Sequence, residues 1–217
     1  MAKVIALALR APGTLVPMQV PAVTALAGLG LEGDRHCDSR SPRQVLLAGA
    51  VVYDELNLPP FALRENLLLD LDTAGFSSGT LLRIGADAVF RLSFQCEACG
   101  ALDRQRPGLA RAVGRRRGIL ARVLKGGLIR EGDTVELLEE RMPALSDDWR
   151  ERVVRVLDTL PAGMVVEYAE LARLAGVQSS YCRAFPRLLA ARGLGEKAVP
   201  ARSASRVPRW NGGYPFD

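Results

Sequence analysis

The chain has 217 residues, 48% of them hydrophobic and 24% charged, with a formal net charge of +5. That length can bury one large core or two smaller ones, and no uncharged apolar run reaches the ~18 residues that a membrane span requires. Four cysteines in a chain this long, with no secretory leader ahead of them, do not read as a disulfide framework, so the expected location is the cytoplasm, away from membranes.

Met1-Ala2-Lys3-Val4-Ile5-Ala6-Leu7-Ala8-Leu9-Arg10 is too short for a signal h-region and reads as a first β-strand. Further strands are expected over 44–47, 67–71, 80–84, 88–94, 119–124 and 134–138. Short helices are expected over 50–56 and near 108–114. Gly85, Gly126-Gly127 and Gly132-Asp133 supply turns between them. This pattern, over residues 1–141, predicts a β-rich barrel with small helical insertions.

After Arg141-Met142-Pro143 the grammar changes. Ser146 can cap a helix that carries Asp147 and Asp148 in its first turn, as the helix dipole favours. Trp149, Val153, Val156, Leu157 and Leu160 recur at helical spacing, and Pro161-Ala162-Gly163 ends the run. A β-prone stretch at Met164-Val165-Val166 leads into a second helix, from Tyr168 to a stop at Gly176. A third helical segment runs over 179–192, kinked or divided by Pro186. Helix, turn and a following basic helix make a helix-turn-helix pattern. Residues 183–217 hold seven basic and two acidic side chains, a net +5.

The chemistry concentrates in Phe94-Gln95-Cys96-Glu97-Ala98-Cys99-Gly100 and the segment after it. Between Arg104 and Lys125 stand eight Arg and Lys side chains and no Asp or Glu. Guanidinium neighbours favour a thiolate, which is both nucleophile and metal ligand, and clustered Arg favours bidentate contact with phosphate. A soft metal on a phosphorylated cofactor, or thiol chemistry on a phosphorylated substrate, would use such a surface. Rival readings stay open. Structural zinc needs four ligands, and beyond this pair only Cys37, Cys182 and the lone His36 remain. A redox pair would need a βαβ context, and two buried thiols can simply be core residues.

The first half resembles the MOSC domain, found at the C-terminus of molybdenum cofactor sulfurases and as small stand-alone bacterial proteins. The resemblance is carried by Gly33-Asp34-Arg35-His36, Ser41-Pro42-Arg43-Gln44-Val45, Leu63-Arg64-Glu65-Asn66-Leu67 and Gly79-Thr80-Leu81-Leu82-Arg83-Ile84-Gly85. It continues through Cys96-Glu97-Ala98-Cys99-Gly100-Ala101-Leu102, Arg117-Gly118-Ile119-Leu120-Ala121-Arg122 and Gly126-Gly127-Leu128-Ile129-Arg130-Glu131-Gly132-Asp133. It implies molybdenum cofactor (molybdopterin) as the ligand, or sulfur in transit, with Cys99 ahead of Leu102-Asp103 as metal ligand and catalytic thiol and Cys96 in support. It places Arg64 and Asn66 at the same pocket, and it implies that Arg117 and Arg122 meet the cofactor phosphate. His36, in a polar loop, is a further pocket candidate. Related stand-alone members reduce N-hydroxylated compounds, which implies a small N-oxidised substrate and a separate electron or sulfur donor.

The second half resembles the DNA-binding domain of alkylguanine DNA alkyltransferases and, more closely, the alkyltransferase-like proteins that lack the nucleophile. Val153-Val154-Arg155-Val156-Leu157, Leu160-Pro161-Ala162-Gly163-Met164-Val165-Val166-Glu167-Tyr168, Leu171-Ala172-Arg173-Leu174-Ala175-Gly176 and Arg183-Ala184-Phe185 carry it. The family assigns to the positions of Tyr168 and Arg183 the rotation of a nucleotide out of duplex DNA and the filling of the gap. Arg187 and Arg202 are expected to add DNA contacts. Where active members have Pro-Cys-His-Arg, this chain reads Pro200-Ala201-Arg202-Ser203, so alkyl transfer there is excluded. The expected architecture is α+β, a β-rich MOSC barrel over 1–141 and a small helical, winged-helix-like (helix-turn-helix) domain over 146–217. Two functions follow from it. One is a molybdenum-dependent reductase of N-hydroxylated bases or nucleotides coupled to a DNA reader. The other is a non-enzymatic DNA-lesion sensor with the barrel as scaffold.

Overall fold

A computed structural model describes every residue except Leu15 and Asp217; Asp217, counted above in the charge of the tail, lies outside the described residues. The chain forms two compact units, one of residues 1–38 and 43–145 and one of residues 39–42 and 146–217. The division expected at 141–146 therefore falls at 145–146, and the short segment 39–42 groups with the second unit.

In the first unit the strands are β1 (Ala2–Leu9), β2 (Met18–Val20), β3 (Ala22–Leu26), β4 (Gly30–Leu31), β5 (Val45–Gly49), β6 (Leu67–Leu69), β7 (Thr80–Ile84), β8 (Ala88–Gln95), β9 (Ile119–Lys125), β10 (Gly127–Arg130) and β11 (Thr134–Arg141). The helices are α1 (Val51–Leu56), α2 (Gly100–Asp103) and α3 (Leu109–Val113), with a 3-10 turn at Gly114–Arg117. Seven strands follow one another in the order β11-β7-β8-β9-β5-β6-β1, and pairing of β1 with β11 closes them into a barrel. Strand β2 extends β1, and β10, β3 and β4 form a separate three-stranded sheet.

Alternation along the strands builds the core. Phe90 and Leu92 on β8 and Ala121 and Val123 on β9 turn inward with Leu7, Leu47, Leu67 and Leu82, all buried. Burying each large apolar side chain contributes ~1.5–3 kcal/mol. Arg91 and Arg122 face each other across β8 and β9 in the intervening register, on the opposite side.

Around the barrel every pairing is antiparallel except that of β5 with β6. Parallel neighbours cannot be joined by a tight hairpin and need a crossover. Here the crossover is residues 50–66, which carries α1 over the outside of β5. Both faces of β5 are thus covered, and all five of its residues are buried. Val45 and Leu47 join the barrel core, while Ala48 joins an outer layer with Val52, Tyr53, Leu63, Leu102, Leu109 and Val113.

In the second unit α4 (Trp149–Asp158), β12 (Val166–Glu167), α5 (Tyr168–Leu174), a 3-10 segment (Ser179–Ala184), α6 (Phe185–Ala191) and β13 (Ala198–Val199) enclose their own core. Asp148 rather than Ser146 caps α4, accepting from Arg150 N at 2.9 Å, because Ser146 Oγ accepts from Asp148 N and sits two residues too early. Pro186 does divide the third helical segment. The chain runs as a 3-10 turn to Ala184, and Pro186 then sits in the first turn of α6, where its missing N–H costs nothing. Buried Arg152 donates to Ala175 O, Ser146 O and Asp147 O at 2.7–3.0 Å, tying α4 to the end of α5. Arg40, from the segment 39–42, pairs with Glu170 on α5 at 2.9 Å. Strands β12 and β13 pair in parallel, which differs from the antiparallel hairpin of a wing.

Candidate functional site

The crossover that β5 and β6 require ends in Ala62-Leu63-Arg64-Glu65-Asn66, and this segment is pinned at every residue from 63 to 66, Arg64 by its N–H to Phe61 O at 2.8 Å. Leu63 N donates to the Tyr53 hydroxyl at 3.1 Å, and the Arg117 guanidinium donates to Leu63 O. The Tyr53 hydroxyl lies 2.7 Å from both carboxylate oxygens of Glu65, which is fully buried. Burial pushes the Glu65 carboxyl up, against the Tyr53 hydrogen bond and the charges of Arg117 and Arg10. Burial and the Glu65 charge likewise raise the Tyr53 phenol, which therefore remains a donor. Between these anchors Arg64 adopts φ 58°, and Phe61 adopts φ 55°. Non-glycine residues with such values are uncommon and concentrate where function holds the backbone under strain.

Asn66 joins the crossover to the rest of the barrel. Its Oδ1 accepts from Leu46 N at 3.0 Å and from Arg10 at 3.5 Å, while Nδ2 donates to Ala8 O at 3.2 Å and to Asp34 Oδ2 at 2.8 Å. Those contacts use all four of its hydrogen-bonding positions. Asn66, expected at the cofactor pocket, holds Arg10 and Asp34 there.

Asp34 is buried and accepts from Arg10 N at 2.9 Å and from His36 N at 2.8 Å, with His36 Nδ1 at 3.2 Å. Burial alone would raise its carboxyl, but the His36 and Arg10 hydrogen bonds outweigh it and hold the group at about 2. Arg10 itself is shifted down, first by burial, then by the charges of Arg117, Arg35 and Arg64, with Asp34 opposing. Arg10, just after β1, thus lies within electrostatic reach of Arg35 from the 34–36 loop, Arg64 from the crossover and Arg117 from the 3-10 turn before β9, with Asp34 and Glu65 as the opposing carboxyls. The Nε atoms of Arg10 and Arg117 are buried and have no hydrogen-bond partner.

Arg117 links this cluster to the cysteine segment. Cys96 N donates to Gly118 O at 2.8 Å where β8 and β9 diverge. Gly118 has φ 112°, and a Cβ there would stand 2.4 Å from Leu47 O, so only glycine lets the chain turn out at this point. Cys96 is buried, whereas Cys99 is partly exposed as the residue before α2. Leu102 of that short helix and Ala98 pack in the outer layer with Tyr53 and Leu63.

Of the residues singled out in the sequence, His36, Arg64, Asn66 and Arg117 come together. Arg122 does not join them: strand alternation puts it beside Arg91, whose guanidinium donates to Pro143 O at 2.8 Å. Arg10, Asp34, Tyr53 and Glu65 were not singled out. Asp34 and Glu65 lay inside quoted motifs, but Arg10 and Tyr53 carry no local signal and enter only through long-range contacts. Among the described residues no three His, Cys, Asp or Glu side chains come together as a metal site.

In the second unit Tyr168 opens α5, with its ring packed edge-on against Phe185 at 5.7 Å. Arg183, Arg187 and Arg202 are exposed. Ala201 lies in a loop whose carbonyls at 201 and 203 accept from Arg209, which also pairs with Glu167. Cys182 Sγ lies 3.4 Å from Tyr168 O, and burial raises its thiol.

Comparison with known proteins agrees with the barrel. Residues 42–136, which run from β5 into β11, match the model of the MOSC domain. No curated protein matches the chain. The crystal structure of YuaD from Bacillus subtilis is similar at 19% identity and a TM-score of 0.54, over 63% of this chain and 94% of that one. The crystal structure of YiiM from Geobacillus stearothermophilus is similar at 20% identity and a TM-score of 0.53, over 87% of this chain and all of that one. At these identities the likeness is one of fold. Arg10, Asp34, Arg35 and His36 precede the matched span, so half of the polar cluster is contributed by chain outside it. No helix among the described residues is long and apolar enough to cross a membrane.

Proposed function

We infer that the first unit binds molybdenum cofactor on the outer flank of the barrel, with Cys99 as the thiolate ligand and the arginine cluster as the anchor for the cofactor phosphate. The observation that carries this is the pair of buried, unpartnered Nε atoms on Arg10 and Arg117. A buried N–H without an acceptor is costly, and a phosphate supplies the acceptor. Arg10, Arg35, Arg64 and Arg117 outnumber the carboxyls of Asp34 and Glu65 beside them, and a dianion offsets that excess. When bound, the cofactor supplies a soft metal centre that accepts thiolate ligation and two-electron chemistry.

The chain's own residues bind and orient. Arg64 and Arg117 present guanidinium forks, Asn66 and Asp34 hold Arg10, and buried Cys96 fixes the turn from which Cys99 projects. His36, engaged through Nδ1 with Asp34, keeps Nε2 for proton exchange. The activity proposed is reduction of N-hydroxylated bases or nucleotides, taking up two electrons and two protons and releasing water, with the electron donor a separate partner.

Metal analysis of protein made in a host that synthesises the cofactor tests the reading. Molybdenum is expected in the wild type, absent in Cys99→Ser and reduced in Cys96→Ser. Equal molybdenum in both variants, or a full equivalent of zinc in the wild type, overturns it. A sulfur atom added to Cys99 in place of metal turns it to sulfur carriage.

The exposed Arg183, Arg187 and Arg202 and the alanine at 201 support a second reading for the other unit, a DNA reader without transferase chemistry. On this reading full-length protein binds duplex DNA with an affinity that falls steeply with salt, and Arg183→Ala weakens preference for a modified-base duplex more than binding to plain DNA. Salt-independent binding, or none, refutes it.

A further inference from the structure

We propose that Tyr53 and Glu65 are positioning residues that hold Arg64 in its left-handed conformation and so aim its guanidinium into the arginine cluster. The proposal rests on the reading of that cluster as an anion site, and it adds the device that sets the site's geometry. Arg64 N donates to Phe61 O at 2.8 Å, and the peptide units on both sides of it are fixed as well. Leu63 is held at both ends, its N–H by the Tyr53 hydroxyl and its carbonyl by Arg117. Glu65 is held by the same hydroxyl, and Asn66 by Leu46, Ala8 and Asp34. One phenolic oxygen therefore bridges the residues before and after Arg64.

A φ of 58° at an arginine persists only when its surroundings over-determine it. Released from the bridge, Arg64 would relax toward negative φ, and its side chain would leave the neighbourhood of Arg10 and Arg117. A fully buried carboxylate is an expensive way to stiffen a barrel. Placed here, Glu65 keeps the hydroxyl's proton directed away from Leu63, so that the phenolic oxygen accepts from the Leu63 N–H.

The test uses the full chain, inorganic phosphate as probe and Tyr53→Phe, Glu65→Gln and Arg64→Ala, with amide hydrogen exchange over residues 61–66 as a second readout. Tyr53→Phe should speed exchange in that segment and weaken phosphate binding about tenfold, the loss expected for one misplaced charge-assisted hydrogen bond. Glu65→Gln, which keeps an acceptor for the hydroxyl, should restore near wild-type behaviour. In the Arg64→Ala background, Tyr53→Phe should cause no further loss of binding, because it acts through Arg64. Unchanged exchange in Tyr53→Phe, or a full tenfold loss that persists without Arg64, overturns the proposal. A wild type that binds no phosphate while Tyr53→Phe still speeds exchange rejects the anion site and leaves the clamp as the device that sets the Arg64 backbone.

Discussion

Acidification should uncouple the polar cluster at one residue, Asp34. Its carboxyl is held at about 2 in the folded chain against an ordinary value of 3.8. The folded state therefore favours the ionised form, and the stabilisation is present above the unfolded value and lost as pH falls through the folded one. The gap corresponds to about 2 kcal/mol of stability at neutral pH. Asp34→Asn removes the charge and turns an amide toward two donors, Arg10 N and Asn66 Nδ2, that now meet a carboxylate oxygen. The variant should be less stable than the wild type at pH 7 by at least that amount. The difference should hold down to about pH 5 and have mostly vanished by about pH 2. Urea unfolding at a series of pH values measures it, followed by far-ultraviolet circular dichroism because both tryptophans, Trp149 and Trp210, lie in the second unit. A stability difference that stays constant from pH 7 to pH 2 would show that the Asp34 charge contributes nothing and that its contacts are those of any polar side chain.

Three further outcomes are expected. Gly118→Ala, which places a Cβ 2.4 Å from Leu47 O on a backbone at φ 112°, should destabilise the barrel by several kcal/mol, seen as a large drop in its thermal midpoint; a shift of only a degree or two would contradict the geometry at the β8–β9 divergence. Phe90→Ala, in the centre of the barrel core, should cost about 3–5 kcal/mol in chemical denaturation, and a loss under 1 kcal/mol would mean that the core collapses around the gap. Incubation with an alkylguanine oligonucleotide should leave the intact mass unchanged: Ala201 offers no nucleophile, and Cys182 is partly buried against Tyr168 O with its thiol raised by burial. A gain of one methyl group on Cys182 would refute that.

Much of the secondary structure was legible because its signals are local. Strand alternation located all or most of β1, β5, β7, β8, β9 and β11, and Pro186 marked the division of the third helical segment. The strands β2, β3, β4 and β10 were missed. Three of them are only two to four residues long, too short to show a period, and Pro17 and Pro21 flank or adjoin β2 and β3. Helix α2 was missed for the same reason, being a single turn after Cys99.

Local patterns along the chain suffice for the β-rich character of the first half, the helical pattern of the second, the MOSC-like motifs and the absence of a transferase nucleophile at Ala201. Each depends on which residues stand near one another along the chain. Long-range contacts were needed to show that β5 and β6 pair in parallel, that their crossover is pinned through Tyr53 and Glu65, and that Arg10 and Asp34 lie near Arg64 and Arg117. They also separated Arg117 from Arg122, five residues apart in a segment that composition treats as one basic run. Charge counts along a sequence carry no direction, whereas Arg117 ends the 3-10 turn that lies beside Leu63, and the pleat of β9 sets Arg122 opposite Arg91.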